Sequence, residues 1–531
     1  MALDPYIERA RSKGVNALVY WLVRAVLQPF FHLYFRVSRI GREHIPAEGG
    51  FIIAANHRSF LDPFVIGIMV RRPIYFVAKR ELFHRRSIAW VLNCLGAFPI
   101  NRGLADEDAM STARAILERG DGVLLFPEGT RVRSGPIGPA RRGVGRLALE
   151  TGVPVVPLAI LGTEDVRTGW RIRPRKVRVR AGRPLTFPTV AAPSPPLAAA
   201  VTDRIWPCVA LQWEWLGGTP PVRRAVVVGA GARGTGIAVA LARAGVEVQL
   251  GCRTAEQADR LARTRENAVH LPGVQLPDAV TVACCPALDL GAADLVVLAV
   301  PSRRLPATVA SHGSRITARA GLLVLSRGLV ADGGEIVLPT DYVADRTPAR
   351  AIAALGGPGQ ADALEHGAAL VVAGHDAGWT RQVTDLLGRA GLVVEASADL
   401  TGVELAGAAA HAAVLAAETA GAAGPSAAGA AAGRVMAEVG AYAAGRGGRP
   451  ETFAGLAGAG ALVAAVIANR DRPSGAQERA ETVELLSVAL AAGGARAPVT
   501  TGLAAVVEGI TSAEDWAREL TTPTRRARRA A

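Results

Sequence analysis

His57 and Asp62 stand five positions apart in Asn56-His57-Arg58-Ser59-Phe60-Leu61-Asp62. An imidazole can remove a hydroxyl proton at neutral pH, and a neighbouring carboxylate can hold its tautomer and stabilise the imidazolium. No serine or cysteine nucleophile motif accompanies the pair, so the chemistry it implies is activation of a hydroxyl on the substrate. Two further blocks, Phe98-Pro99-Ile100-Asn101-Arg102 and Leu125-Phe126-Pro127-Glu128-Gly129-Thr130-Arg131, follow it along the chain. A second chemistry is written at Gly229-x-Gly231-x-x-Gly234. Glycines at this spacing permit a tight turn, close approach to a pyrophosphate and close helix packing.

These residues need elements to hold them. FIIAA (51–55), IYFVA (74–78), GVLLF (122–126) and VPVVPLAI (153–160) are short β-type runs, separated by helical stretches such as 106–119 and 142–151. That alternation predicts an α/β domain over 1–216, closed by a helix over 202–216. Pro154 and Pro157 read as turn constraints. GGTPPVRR (217–224) has the composition of a linker. A second α/β domain is expected over 225–395, opening with AVVVGAGARGTGIAVALARAG, then an Ala-rich all-helical domain over 396–515 and a basic tail over 516–531. Residues 15–36, VNALVYWLVRAVLQPFFHLYFR, carry six aromatic rings, with Arg24 and Arg36 interrupting and ending the apolar run. They read as a helix lying in a membrane interface rather than spanning it.

Together the four blocks NHx4D, FPINR, FPEGTR and VPVVPL, in this order and spacing, resemble the glycerolipid acyltransferases of the 1-acylglycerol-3-phosphate acyltransferase type. FVAKREL (76–82), TRVRSG (130–135) and RRGVGRLALETGVP (141–154) fit the same resemblance, which covers roughly residues 35–185. It implies that His57 is the general base acting on the acceptor hydroxyl and that Asp62 orients and charge-balances it. Arg102, Glu128, Gly129 and Arg131 would form the acceptor's phosphate site, with Glu128 positioning the arginines or the glycerol. The implied partners are lysophosphatidic acid and an acyl thioester, and no metal or prosthetic group is expected for acyl transfer.

The text around the glycine-rich turn has its own resemblance. TRENAVHLPGVQLP (264–277), AADLVVLAVPS (292–302), LSRGL (325–329), GVELAG (402–407), GRPETFAGLAG (448–458) and APVT (497–500) are similar in order to NAD(P)-dependent glycerol-3-phosphate dehydrogenases, over about 225–515. The implied fold is a Rossmann domain followed by a helical substrate domain, with Gly229, Gly231, Gly234 and Glu478 on the cofactor side. The second strand ends in Gly251-Cys252-Arg253 without an acidic residue for the adenosine ribose, and Arg253 there favours NADP over NAD. The resemblance also implies an acid/base lysine and a neighbouring asparagine, but this chain carries Ala410 and His411. A second expected lysine is Arg327, an expected aspartate is Ala461, and Arg470 aligns with a substrate arginine. The chain's three lysines are Lys13, Lys79 and Lys176, so none lies in this half. An arginine cannot be deprotonated in a protein, which leaves His411 as the remaining acid/base candidate. The expectation is an active acyltransferase fused to a dehydrogenase-like module without turnover, the alternatives being a bifunctional enzyme or a non-catalytic NADP or glycerol-phosphate sensor.

The charge distribution agrees with this division. The formal net charge of +14 falls wholly in residues 1–220, which hold 31 basic and 17 acidic groups, while residues 221–531 hold 29 of each. The first part is expected to meet an anionic lipid or thioester at a membrane surface, and no nucleic-acid recognition pattern accompanies the charge. RIRPRKVRVR (171–180) reads as a basic edge strand. Five cysteines without metal-type spacing read as a reducing compartment. The expected location is peripheral, on the cytoplasmic face of the membrane.

Overall fold

The computed structural model describes residues 5–100, 107–132, 135–168, 171–359, 367–471 and 475–521. The chain divides into two compact units, Met1–Pro221 and Val222–Ala531.

In the first unit the short apolar runs form one seven-stranded sheet. Its order is Ser38–Ile40, Arg178–Ala181, Val155–Leu161, Phe51–Ala55, Gly122–Leu125, Ile74–Lys79, Ala97–Ile100. Neighbours run parallel except Val155–Leu161 against Arg178–Ala181. Phe51–Ala55 is central and buried at every residue, as a parallel strand covered on both faces must be. Ile52 and Ala54 pack with Ile116, Leu147 and Ile205 on one face, while Phe51 and Ile53 pack with Val65, Ile66 and Met69 on the other. This places the loops that follow the central strands side by side at one sheet edge, where α/β folds bind ligands.

Residues 171–180 depart from the expected edge strand. Arg178–Ala181 is second from the edge, and Ser38–Ile40 covers it. Val177 and Val179 are fully buried, so the apolar half of the alternation belongs to the core. Arg171–Ile172 instead pairs with Arg167–Thr168 in a separate small ribbon.

Helix Ala17–Tyr34 starts at Asn16, whose side chain accepts the Val19 N–H at 3.1 Å. Tyr20 and Phe31 face the core. Leu18, Leu22, Val26, Phe30 and Leu33, spaced four, four, four and three residues apart, stay exposed, Leu18 and Leu33 by 80 and 82 %. They form one continuous stripe along the helix.

The second unit has an eight-stranded sheet in the order Val280–Cys284, Glu247–Cys252, Arg224–Val228, Leu295–Leu298, Gly321–Val324, Ala351–Gly356, Ala369–Gly374, Val393–Ser397. Only the pair Ala351–Gly356 with Ala369–Gly374 is antiparallel. The helical region is built on the hairpin Leu400–Ala420 and Pro425–Gly445, where buried alanines such as Ala409, Ala413 and Ala431 let the helices approach closely. Among the described residues two helical stretches are long and apolar enough to cross a membrane, Leu400–Ala423 and Pro450–Asn469, and Pro5–Ser12 with Ala17–Tyr34 makes a third if taken as one span bent by 91°. The first is mostly buried and is the unit's central packing element, whereas most of the second is not buried. The helical region does not stop at 515. Helix Ala513–Thr521 packs Trp516, Ala517 and Leu520 into the same core, so the expected tail begins later than residue 516.

Candidate active site and a second cleft

Three strand exits build the first site. Beyond Phe51–Ala55, the Asn56 side chain donates to Ile160 O at 3.0 Å and accepts from Ile160 N at 2.8 Å, continuing the ladder past the strand end and fixing the turn. The chain then enters helix Asp62–Met69, whose first residue is the carboxylate itself. A negative charge there is favoured by the helix dipole. Asp62 Oδ2 accepts the N–H groups of Arg58 and Ser59 at 2.6 and 2.7 Å, and Oδ1 accepts the Thr163 hydroxyl at 2.6 Å. His57 Nδ1 lies 2.8 Å from Oδ2. This donor set calls for the ionised carboxylate, which in turn makes Nδ1 the protonated nitrogen of a neutral ring and leaves Nε2 with its lone pair. His57 is 3 % exposed and Asp62 is fully buried. Phe126 stacks on the imidazole, with centroids 4.0 Å apart at 20°.

Glu128, expected at the acceptor's phosphate site, holds backbone on two sides. It is 5 % exposed, and its two oxygens are engaged by backbone: Oε2 accepts His57 N–H and Oε1 accepts Gly138 N–H, both at 2.7 Å. Burial raises its carboxyl to about 7 against these hydrogen bonds. Glu128 therefore ties the histidine turn to the backbone at Gly138. Gly129 follows at φ +70°, and a Cβ there would stand 2.8 Å from Arg141 Nε. Arg131 is exposed. Arg102 lies outside the described residues.

One residue that the sequence left without a role is Arg58, inside the NHx4D block. It is 2 % exposed, donates to Val132 O at 2.8 Å and Gly135 O at 2.7 Å, and stacks 4.2 Å over the Trp213 ring. Its signal was a charged residue between two chemical ones, beside an aromatic-rich helix far along the chain. Arg58 thus holds the backbone at Val132 and Gly135, and Glu128 holds it at Gly138.

In the second unit the turn after Arg224–Val228 has the geometry its glycines imply. Gly229 adopts φ +113°, and a Cβ there would stand 2.6 Å from Ala299 O. A Cβ at Gly234 would stand 1.9 Å from Gly229 O, whereas Gly231 faces open space at the start of helix Ala232–Arg243. A cleft of about 360 Å³ opens there, lined by Gly231, Arg233, Arg327, His411, Glu478 and Arg479 among others. Glu478 lines the same cleft as Gly231 and Gly234, while Arg253 is exposed just beyond Glu247–Cys252. Ala410 is 2 % exposed on helix Leu400–Ala420, beside His411. Burial and the nearby Arg327, Arg233 and Arg479 push the His411 imidazole down to about 3. The side chain of Arg470 lies outside the described residues.

A family model described as NAD-dependent glycerol-3-phosphate dehydrogenase N-terminus matches residues 224–379. A glycerol-3-phosphate dehydrogenase [NAD(P)+] of Deinococcus radiodurans is 33 % identical over 314 residues, 55 % of this chain and 93 % of that protein. Over its second unit the chain belongs to the glycerol-3-phosphate dehydrogenase family. The crystal structure of such a dehydrogenase from Coxiella burnetii shares the fold, with a TM-score of 0.52 and 21 % identity, covering 57 % of this chain and 99 % of that one. The first unit carries an acyltransferase domain: the Acyltransferase family model matches residues 36–161. A chloroplastic 1-acyl-sn-glycerol-3-phosphate acyltransferase of Brassica napus is 30 % identical over 136 residues, 25 % of this chain and 39 % of that protein. The chain thus spans about two fifths of that relative's length and fuses the two domains in one polypeptide. Within the dehydrogenase-family unit, Ala410, His411, Arg327 and Ala461 stand where the sequence resemblance implies lysine, asparagine, lysine and aspartate.

Proposed function

We propose that the acyltransferase domain moves an acyl group from acyl-CoA or acyl carrier protein to the free hydroxyl of 1-acylglycerol 3-phosphate, giving phosphatidic acid and the free thiol. The observation that carries this reading is the His57–Asp62 contact at 2.8 Å, with Asp62 saturated by donors from the turn and from Thr163. His57 Nε2 takes the acceptor's hydroxyl proton as its oxygen attacks the thioester carbonyl. The tetrahedral intermediate collapses, the C–S bond breaks, and the imidazolium returns the proton to the departing thiolate. Asp62 stabilises the imidazolium while it exists. Arg102 and Arg131 hold the acceptor's phosphate, and Gly129, at φ +70°, lets the chain turn before Arg131. No metal enters the scheme.

The exposed stripe Leu18, Leu22, Val26, Phe30, Leu33 supports docking on a bilayer, and the +14 charge of residues 1–220 supports an anionic, cytoplasmic-facing leaflet. Purified full-length protein, given acyl-CoA and a panel of acceptors in vesicles, should convert lysophosphatidic acid to phosphatidic acid. Conversion of glycerol 3-phosphate or another lysolipid in its place would move the acceptor assignment. Transfer that survives His57→Ala would remove His57 as the base.

The second unit keeps a nucleotide cleft without hydride-transfer chemistry in this reading. Gly229, Gly231 and Gly234 fit a dinucleotide pyrophosphate, and Arg253 suits a 2′-phosphate. When bound, NADP supplies or accepts a hydride, but reduction of a carbonyl also needs a proton donor. Ala410 has no proton to give, Arg327 does not release one, and an imidazole held near 3 is not protonated at neutral pH. Family membership favours the alternative of a bifunctional enzyme. NADPH oxidation with dihydroxyacetone phosphate decides between them: turnover at ordinary enzymatic rates would overturn the inactive reading.

A further inference from the structure

Beyond strand Ile74–Lys79 of the first unit the chain reads Leu82-Phe83-His84-Arg85-Arg86-Ser87-Ile88-Ala89-Trp90-Val91, and no acidic residue lies between Glu81 and Asp106. The segment folds as a turn over Arg80–Phe83 and a helix over Arg86–Cys94. One side of it is anchored. Phe83 and Ala89 are buried in the core cluster that also holds Phe31, Val65, Ile66 and Met69. The Asn93 side chain donates to Tyr6 O at 3.0 Å and to Ala97 O at 3.3 Å. The other side is bare: Leu82, Ile88, Trp90 and Val91 are each 41 to 50 % exposed. Ile88 and Val91, three residues apart, share one face of the helix.

Arg85 and Arg86 are exposed at the start of this helix, and neither has a carboxylate within ion-pairing distance among the described residues. Glu81, the nearest acid along the chain, is paired with Lys79 at 2.8 Å. A helix N-terminus is itself partly positive, so two cations there are held against the helix dipole rather than by it. An anion outside the chain reverses that cost. Apolar side chains beside a tryptophan and two unpaired arginines have the composition of a membrane-interface element. The apolar groups enter the acyl boundary, the indole sits at headgroup level, and the guanidiniums meet lipid phosphates. The core cluster shared with Phe31 also sets this segment on the sheet face that carries helix Ala17–Tyr34 and its exposed stripe.

We propose that Arg80–Cys94 is a second lipid-contacting element, in which Leu82, Ile88, Trp90 and Val91 enter an anionic bilayer while Arg85 and Arg86 bind its headgroups. It rests on the reading that the first unit docks on a bilayer, and deepens it. A single helix lying in the interface makes a line of contact, about which the domain is free to roll. A second contact on the same sheet face removes that freedom and gives the domain one tilt on the membrane. Arg85 and Arg86 then supply the preference for anionic lipid, and the apolar side chains supply depth.

Co-sedimentation of the full-length protein tests this, with vesicles of phosphatidylcholine alone and of phosphatidylcholine mixed with phosphatidylglycerol. Arg85→Gln with Arg86→Gln should weaken binding to the mixed vesicles on the order of tenfold and leave binding to phosphatidylcholine unchanged. Ile88→Ser with Val91→Ser should weaken binding to both by roughly tenfold. A cooperative thermal melt checks that each variant folds. Lipids brominated in their acyl chains should quench the tryptophan emission of the bound protein, and quench Trp90→Phe less. Equal quenching in Trp90→Phe, or an Ile88→Ser with Val91→Ser variant that binds both vesicles as the unmodified protein does, overturns the proposal. If Leu22→Ser with Val26→Ser abolishes binding in that same experiment, docking through helix Ala17–Tyr34 stands without this second element. Failure of the unmodified protein to bind either vesicle overturns both readings. A loss of self-association in Ile88→Ser with Val91→Ser, read by analytical ultracentrifugation without lipid, makes the patch a contact between copies of this chain and also overturns the proposal.

Discussion

Glu128 accepts the backbone N–H of His57 at 2.7 Å, so a carboxylate seventy-one residues along the chain fixes the main chain of the turn that carries the histidine. Its other oxygen holds Gly138 N–H, and the two bonds need two acceptor oxygens. Glu128→Gln replaces one oxygen by a donor that faces a donor. The expected outcome is a folded protein that loses roughly 1–3 kcal/mol of stability, the ordinary cost of a buried unmet group. Acyl-transfer kcat should fall with it, while a thermal melt stays cooperative. Unchanged kcat would show that the histidine turn holds its place without this contact.

Asp62→Asn should be far more harmful to rate than to folding. The amide cannot accept from the Arg58 and Ser59 N–H groups, the Thr163 hydroxyl and His57 together. The imidazole then loses the partner that selects its tautomer. Comparable substitutions in hydrolase triads lower kcat on the order of 10⁴-fold. Steady-state rates with a saturating thioester donor check it, with circular dichroism to confirm the fold.

Glu404 gives the second unit a pH signature. It is buried, accepts Thr340 N–H at 3.0 Å and the Thr340 hydroxyl, and burial raises its carboxyl to about 8. The folded unit therefore holds this proton more tightly than the unfolded chain does. The resulting stabilisation is complete below the ordinary glutamate range and is lost as pH rises from about 4.5 to about 8. Glu404→Gln should remove that slope, leaving the unit's melting temperature flatter across the window and higher at pH 8. Differential scanning calorimetry at several pH values reads the effect, and an unaltered slope would assign it to other groups.

Leu22→Ser with Val26→Ser should release the protein from lipid without unfolding it. Both side chains are more than 60 % exposed, so their burial contributes little to the fold. On a bilayer each apolar side chain that enters the acyl boundary adds roughly 1.5–3 kcal/mol. Co-sedimentation with vesicles containing phosphatidic acid should fall by more than tenfold. Retained binding would place docking on another surface.

Much of this was legible because the informative residues lie on strand exits. His57, Glu128 and the turn from Gly229 to Gly234 each follow a short apolar run whose end can be read from the sequence, and the sheet then gathers those ends. The helix Ala17–Tyr34 was legible for the same reason: its aromatic and apolar spacing is local. What the sequence hid was partnership over distance. Glu128 reads as a phosphate-site carboxylate, and nothing local shows that it also holds the backbone N–H of His57. The alternation in 171–180 reads as an edge, but Ser38–Ile40, set in place by an unrelated part of the chain, covers it. Arg233 reads as a variable position in a glycine-rich turn. Only the approach of Leu325 and helix Leu400–Ala420 shows that its guanidinium is held inside a cleft.

The pairing of Ser38 with Arg178 has a consequence for biosynthesis. The outermost strand of the first sheet is translated 140 residues before the strand it must join. At roughly 5–20 residues per second, it waits on the order of ten seconds on the ribosome. During that interval Phe51–Ala55, Ile74–Lys79 and Gly122–Leu125 can already associate, but the flank that will receive Arg178–Ala181 is open. The nascent first unit is therefore most vulnerable to aggregation while residues 161–181 are being made. Synonymous changes that slow translation within that stretch should lower soluble yield more than the same changes placed after residue 222.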